Sequence, residues 1–340
     1  MRTFLVSLLL LSLGALSALA QVAAPTLLPG TVRMQDPQRW SRLFVAEFDI
    51  TDGPVLTFLP VNPAAMQWSR SSEIGLGKVQ ADNSDTVGGV PSEVGYEGTF
   101  GGLRWVGEYV SLGAELLSWS GSSAIAADHK QKRSNLSAAF QLFDVMALGA
   151  GQTTLTEQFV FDPSGSNNPI ETDWKLPSYG ISLRLGSVFY VGYSAGEETS
   201  DFRNPNNPGN NFILKRNTQA YGIAYMSESK EPWHLEVHHT SKNAKFDGVN
   251  FLDLEEHTVG VIEGQFGSAI LGLISDDGTV KREQPAPFEE SVRSLQLTAA
   301  WVTQGGWTLT VHLEKTKIAD TPNTFERQVD TKALSAGYRF

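Results

Sequence analysis

Ionisable side chains at alternate positions are the first feature of this sequence that could do chemistry. In the segment WHLEVHH (233–239), His234, Glu236 and His238 occupy every second position. Successive side chains of a β-strand point to opposite faces, so these three would share one face of an extended segment. Two imidazoles and a carboxylate on one face could bind a divalent metal or shuttle protons.

A second segment, WTLTVHLEK (307–315), places His312 and Glu314 together on one face in the same way. Neither segment shows the supporting partners that make a metal site specific. Residues of these types also line wet protein interiors, where polar groups face water. We interpret both arrays as such a lining, and we expect no metal site and no cofactor.

A hydrolytic site would need a nucleophile, a histidine and an orienting third group at one level. Ser241 and His238 are neighbours in the sequence, but their odd spacing places them on opposite faces of a strand. The sequence therefore predicts no catalytic residues and a protein that is not an enzyme.

The first twenty residues have the pattern of an export signal. Met1 and Arg2 precede an apolar run over 4–19, and the small residues of ALA (18–20) are typical of a cleavage site. The run is too short for a stable membrane-spanning helix. We expect a signal peptide over 1–20, removed on export.

Composition limits the possible partners of the exported chain. There are no cysteines, which excludes a disulfide framework and a thiolate metal site. The formal charge is −11, and removing Arg2 with the signal makes it −12, so a nucleic-acid partner is excluded. Charged residues are only 19% and there are 32 glycines, a mixture typical of β-rich folds rather than disordered chains.

Segments with a period of two recur from about residue 66 onward, and they define the expected fold. Short turns join them into hairpins. The expected hairpins are 95–105 with 107–119, 130–142 with 144–154, 178–185 with 188–198, 212–226 with 232–242, 255–265 with 268–278, and 293–301 with 307–315. A first strand near 66–79 and a last one at 330–340 bring the total to about fourteen, and a hairpin at 42–60 would add two more.

The connections between these hairpins are long and polar, whereas the turns within them are short. The long connections are 82–93, 156–174, 200–211, 281–290 and 319–328. Transmembrane barrels show this asymmetry because their periplasmic turns are short and their external loops are long. A soluble sandwich has no physical need for it, although a sandwich also alternates apolar and polar residues.

Aromatic residues gather near the expected strand ends, as in the interface girdles of membrane barrels. They are Trp105, Tyr109, Trp119, Tyr179, Tyr193, Tyr221, Tyr225, Trp233, Trp301, Trp307 and Tyr338. In lipid every backbone polar group must be paired internally, so a sheet can cross only as a closed barrel.

The segment ALSAGYRF (333–340) resembles the C-terminal assembly signal of bacterial outer-membrane barrels. Leu334, Ala336, Tyr338 and Phe340 match its alternate apolar positions and its final aromatic residue. This resemblance implies a bacterial outer-membrane location and recognition by the outer-membrane assembly machinery.

The segment FLPVNPAAMQWSRSSEIGLG (58–77) contains Asn62, Pro63 and Ala64 just before the first expected strand. It resembles the NPA signature of long-chain fatty acid transporters, the FadL-like family. The resemblance implies a monomeric barrel that is plugged by an N-terminal hatch and takes up hydrophobic molecules. An Asn-Pro dipeptide is also a common turn initiator.

The sequence thus predicts an all-β protein, a transmembrane antiparallel β-barrel of about fourteen strands over 66–340, with a hatch over 21–65. The expected partners are the lipid bilayer and a fatty-acid-like hydrophobic ligand. One alternative is a porin for polar solutes, which a polar lumen and acidic charge would suit. Another is an exported soluble β-protein with a binding role.

Overall fold

The computed structural model describes residues 59, 62–69, 72–87, 90–122, 128–160, 170–203, 205, 212–227, 233–245, 252–282, 288–321 and 325–340. The predicted signal peptide lies outside these residues, as do most of the predicted hatch and all of the optional hairpin at 42–60 except residue 59.

The described chain forms fourteen β-strands preceded by one 3-10 helix. The helix is Pro63–Trp68. The strands are β1 (Glu73–Val87), β2 (Val90–Val106), β3 (Val110–Ser122), β4 (Asp128–Phe143), β5 (Met146–Val160), β6 (Ile170–Leu185), β7 (Phe189–Arg203), β8 (Phe212–Met226), β9 (Trp233–Lys245), β10 (Leu252–Phe266), β11 (Ala269–Arg282), β12 (Phe288–Val302), β13 (Trp307–Thr321) and β14 (Phe325–Arg339).

The strands close into one antiparallel barrel, which confirms the predicted fold class. Each strand pairs with its neighbours in the chain, and β14 pairs with β1 from Glu73 opposite Arg339 to Val87 opposite Phe325. The Phe340 N–H continues this seam by donating to the Ser72 carbonyl at 3.0 Å. Closure leaves no sheet edge with unpaired backbone groups, as a membrane-spanning sheet requires.

The outward face of the barrel carries its exposed apolar side chains. Leu76 is 71% exposed and Leu116 is 67% exposed, and the outward leucines of β12 and β13 are about half exposed. In a two-layered soluble sandwich such residues would be covered by a second sheet. Here they surround a single closed sheet, which is the arrangement of a barrel in lipid. None of the described helical segments is long and apolar enough to cross a membrane.

The first strand begins later than the sequence predicted, at Glu73 instead of near residue 66. The reason is local. Asn62 caps a helical turn with its side chain and Pro63 occupies the first position, where its fixed φ favours a helix.

Several predicted long connections are partly strand. β1 continues to Val87 and β2 begins at Val90, inside the predicted connection 82–93, and the predicted connections 281–290 and 319–328 are shortened in the same way. Most of the residues concerned are polar, so these segments lack the regular apolar alternation that reveals a strand in a sequence. They extend the wall beyond its apolar part.

The short turns behave as predicted. Gly186, Gly267 and Gly306 have positive φ values of 71°, 60° and 83°, and they lie in the turns after β6, β10 and β12. Glycine adopts this conformation without steric cost, which allows the tight reversal.

Candidate functional site: the barrel lumen

The NPA residues form the start of the 3-10 helix, which lies inside the barrel against β3–β6. The Ala64 N–H donates to the Asn62 Oδ1 at 3.1 Å, and the Asn62 Nδ2 donates to the Ile181 carbonyl of β6 at 2.9 Å. Asn62 therefore both begins the helix and attaches it to the wall. We call the inward face of β3–β6 the docking wall.

Two side chains at the end of the helix attach it further. The Gln67 amide donates to the carbonyls of Gly107 and Glu108 and accepts from the Ser111 hydroxyl at 2.8 Å. The Trp68 indole N–H donates to the Ser182 Oγ at 2.8 Å. All residues from Asn62 to Trp68 are buried.

Three glycines of the docking wall leave the space that this segment fills. A Cβ at Gly180 would lie 1.9 Å from the Asn62 Oδ1, and one at Gly149 would lie 2.3 Å from the Ala64 nitrogen. A Cβ at Gly113 would lie 2.2 Å from Leu59. At Gly149 the clash is with the hatch backbone, so no side chain fits there unless the hatch moves, whereas at Gly113 and Gly180 it is with side-chain atoms of the hatch. We call these three glycines the hatch footprint.

A buried ion pair of the wall binds Leu59, the described hatch residue that precedes the helix. Arg133 of β4 contacts the Glu115 carboxylate of β3 at 2.6 Å, and each side chain is about 3% exposed. The Leu59 N–H donates to the other oxygen of Glu115 at 3.3 Å. Glu115 thus accepts a hydrogen bond from the hatch, while Arg133 of the wall neutralises its negative charge.

The histidines and carboxylates singled out in the sequence lie on a different part of the lumen. His234, Glu236 and His238 point inward from β9, and Glu236 lies between the two imidazoles. It contacts His234 Nε2 at 3.2 Å and His238 Nδ1 at 2.7 Å. Glu263 of β10 extends this chain, 3.6 Å from His234 Nδ1. We call the inward face of β9–β13 the acid wall.

His312 and Glu314 lie on β13 of the acid wall, and they are buried. His312 Nδ1 is 3.2 Å from the Thr298 hydroxyl. Glu314 Oε1 accepts from the hydroxyls of Ser294 at 3.1 Å and Thr316 at 2.6 Å. Sequence reasoning placed these residues in the lumen but did not identify the hydroxyls that hold them.

Imidazoles and carboxylates on the acid wall bind one another rather than converge on a common point. Within the described part of the chain, no group of three or more His, Cys, Asp or Glu has an arrangement that could hold a metal ion. The geometry instead provides hydrogen-bonding groups along a lumen.

A third region of the lumen is apolar. Val79, Ala81, Tyr96, Phe100, Leu117, Trp119, Val329 and Ala333 form one buried cluster on the inward faces of β14 and β1–β3, which we call the lumenal apolar cluster. The prediction that Trp119 belongs to the outer girdle is therefore wrong. Leu116 and Ser118 point outward and Leu117 and Trp119 point inward, because the strand alternation fixes the face.

The predicted assembly signal lies on the outward face of β14. Leu334, Tyr338 and Phe340 are 53%, 37% and 61% exposed, and Ala336 is also exposed. Tyr338 stacks on Phe340 and also contacts Trp307 of β13. Its recognition by the assembly machinery stays a prediction.

Sequence reasoning missed several lumenal residues for different reasons. Glu263 alternates with Val261 and could have been found from the period of two. The footprint glycines could not, because glycine in a strand also marks bulges and bends. Glu115 and Arg133 are distant in the sequence and become partners only through the pairing of β3 with β4.

Comparisons with known proteins were informative at the level of fold only. No protein-family model matches the sequence. No curated protein matches it significantly either.

Solved structures do match, over most of the chain. A variant of the monoaromatic hydrocarbon channel TodX has a TM-score of 0.52 and 10% identity, covering 82% of this chain and 93% of that one. The monoaromatic hydrocarbon channel CymD has a TM-score of 0.53 and 12% identity, covering 82% and 91%. A Pseudomonas aeruginosa FadL homologue has a TM-score of 0.50 and 11% identity, covering 89% and 98%.

These structures confirm the predicted resemblance to FadL-like barrels as a resemblance of fold. Together with the outward apolar face, the fold supports the bacterial outer-membrane location predicted from the sequence.

Proposed function

We propose that this protein is an outer-membrane channel that takes up hydrophobic small molecules past a docked hatch. The observation that carries the proposal is the footprint of Gly113, Gly149 and Gly180, into which Leu59 and the residues from Asn62 to Met66 fit. A wall shaped to receive an internal segment is expected of a plugged channel and not of an open pore.

Two further observations support a hydrophobic solute. The lumenal apolar cluster offers buried aromatic and aliphatic surface inside the barrel. Two of the structures that share the fold are monoaromatic hydrocarbon channels. The fatty-acid-like ligand expected from the sequence is the finer part of the proposal. It describes a solute with an apolar body and one polar end.

A porin for polar solutes is the competing function, and the polar acid wall favours it. A barrel of about fourteen strands is wide enough to conduct unless it is plugged. The two functions therefore differ in what the intact protein lets through.

Proteoliposomes distinguish the two. Purified protein should show little steady ion conductance and should not admit sugars in a swelling assay. Cells that carry it in their outer membrane should accumulate radiolabelled 4-ethyltoluene faster than cells without it. Large conductance and sugar entry, without faster uptake of the hydrocarbon, would contradict the proposal and establish the porin.

A further inference from the structure

Three polar side chains lie side by side on neighbouring strands of the lumen and have no role in the proposed function so far. Gln296 pairs with Glu314 across β12 and β13, and Glu314 pairs with Thr331 across β13 and β14. We call these three residues the acceptor row. They point inward, and they are 2%, 5% and 1% exposed.

Two members of the row have polar atoms that the described residues leave without a hydrogen-bond partner, Gln296 Oε1 and Thr331 Oγ1. Buried polar groups are nearly always paired, so each such atom in a native structure requires an explanation. Glu314 is fixed between them by the hydroxyls of Ser294 and Thr316. The row therefore holds fixed polar oxygens, those of Gln296 and Thr331, that a bound molecule could hydrogen-bond.

The row borders the lumenal apolar cluster. Thr331 lies between Val329 and Ala333 on the inward face of β14, and both of these belong to the cluster. Trp119, further along the cluster, also has an indole N–H without a partner in the described part of the molecule. A molecule with an apolar body and one polar end can contact both surfaces at once.

The negative charge of the acid wall determines which polar group of a bound molecule can lie beside the acceptor row. Among the described side chains of β9–β13, six buried carboxylates and one buried ammonium group, that of Lys242, point inward. The carboxylates are Glu236, Glu255, Glu263, Asp276, Glu290 and Glu314. A second carboxylate beside Glu314 would be repelled in a medium of low dielectric constant. A hydroxyl group is uncharged and can donate to the acceptors.

We infer that the acceptor row is a subsite for the hydroxyl group of an uncharged amphiphile, a phenol or an alcohol, and that it rejects carboxylate anions of the same size. This inference rests on the proposed uptake of hydrophobic molecules, and it replaces the fatty-acid-like ligand, whose carboxylate the acid wall would repel, with an uncharged one. The apolar body lies on the lumenal apolar cluster, the ligand O–H donates to Gln296 Oε1, and the ligand oxygen accepts from the Thr331 hydroxyl.

Three ligands of matched size test the inference: 4-ethylphenol, 4-ethylbenzoate and 4-ethyltoluene. Their binding to folded protein in detergent is measured by equilibrium dialysis at neutral pH against protein-free micelles. At that pH the phenol is neutral and the benzoate is charged. We expect the phenol to bind at least about tenfold more tightly than the benzoate, because only the benzoate adds a charge beside Glu314.

Variants locate the subsite. Gln296→Leu and Thr331→Val should each weaken binding of 4-ethylphenol about fivefold, the effect of one lost hydrogen bond, and leave 4-ethyltoluene unchanged. Glu314→Gln should strengthen binding of 4-ethylbenzoate. Thr308→Val is the matched control, since Thr308 is an inward threonine of β13 outside the row, and it should change none of the three. Faster migration of the unheated protein on gels confirms that each variant is folded.

The outcomes separate this inference from the proposed function. Equal binding of the phenol and the benzoate, or an equal loss of all three ligands in Gln296→Leu, overturns the subsite and leaves hydrophobic uptake intact. If folded wild-type protein binds none of the three, the proposed function fails together with the subsite.

Discussion

The docking wall and the acid wall belong to the same closed sheet, yet they use different chemistry. The docking wall holds the hatch with neutral hydrogen bonds, three glycines and one neutralised ion pair. The acid wall carries imidazoles, carboxylates and hydroxyls that bind mainly one another. A surface that fixes a segment of its own chain needs a close fit, whereas in the proposed function the acid wall lines the path of the solute.

The contacts of the described hatch residues show how the docking wall holds them. Hydrogen bonds from Asn62 and Trp68 reach neighbouring residues of β6, and those from Gln67 reach the turn between β2 and β3. The footprint glycines leave room for the segment between these two places. The described part of the hatch makes no comparable contacts with the acid wall. Substitutions on the two walls should therefore have separable effects.

The largest effect on stability is expected at the ion pair of the docking wall. Arg133→Met removes the guanidinium that contacts the buried Glu115 carboxylate, which should cost about 3–5 kcal/mol of the free energy of unfolding. Urea unfolding in lipid vesicles, followed by gel mobility, measures it. The double variant Arg133→Met with Glu115→Leu removes both charges and should recover most of the loss. A double variant as unstable as the single one would show that packing, and not charge, dominates at this site.

A smaller effect is expected at the first residue of the helix. Asn62→Ala removes the cap of the helix and the hydrogen bond to the Ile181 carbonyl, so docking should weaken by about 1–2 kcal/mol. Single-channel recording should then show brief openings about tenfold more frequent than in the wild type. Asn217→Ala, at an exposed asparagine of β8, is the control and should leave the recording unchanged.

The smallest effect on gating is expected on the acid wall. Glu314→Gln weakens the hydrogen bonds from Ser294 and Thr316 on strands away from the docked helix, so the frequency of openings should match that of the wild type. The same recordings measure it. An increase comparable to that of Asn62→Ala would mean that the two walls are not independent.

The number of strands and their facing could be predicted because lipid on one side and a lumen on the other impose a period of two. His234, Glu236 and His238 follow from that period, as does the outward position of Leu334 and Tyr338. Trp119 shows the limit, because residue type alone suggested a girdle while the register of β3 turns it inward.

The docking wall could not be predicted in the same way. Gly149 and Gly180 become neighbours only when β5 pairs with β6, and their role depends on Asn62, which is distant in the chain. The ends of β1 and β2 also escaped prediction, because polar strands above the apolar band have the composition of loops.

The most direct test of the central claim, that wall glycines seat a hatch that closes the barrel, is the ion conductance of Gly149→Val and Gly180→Val in planar bilayers. Each substitution places side-chain atoms where the hatch now lies, whereas Gly260→Val, on a strand position with open space around it, is the matched control. We expect steady large conductance from the first two variants and little from the wild type and from Gly260→Val. Folded Gly149→Val and Gly180→Val barrels that stay as closed as the wild type would contradict the account.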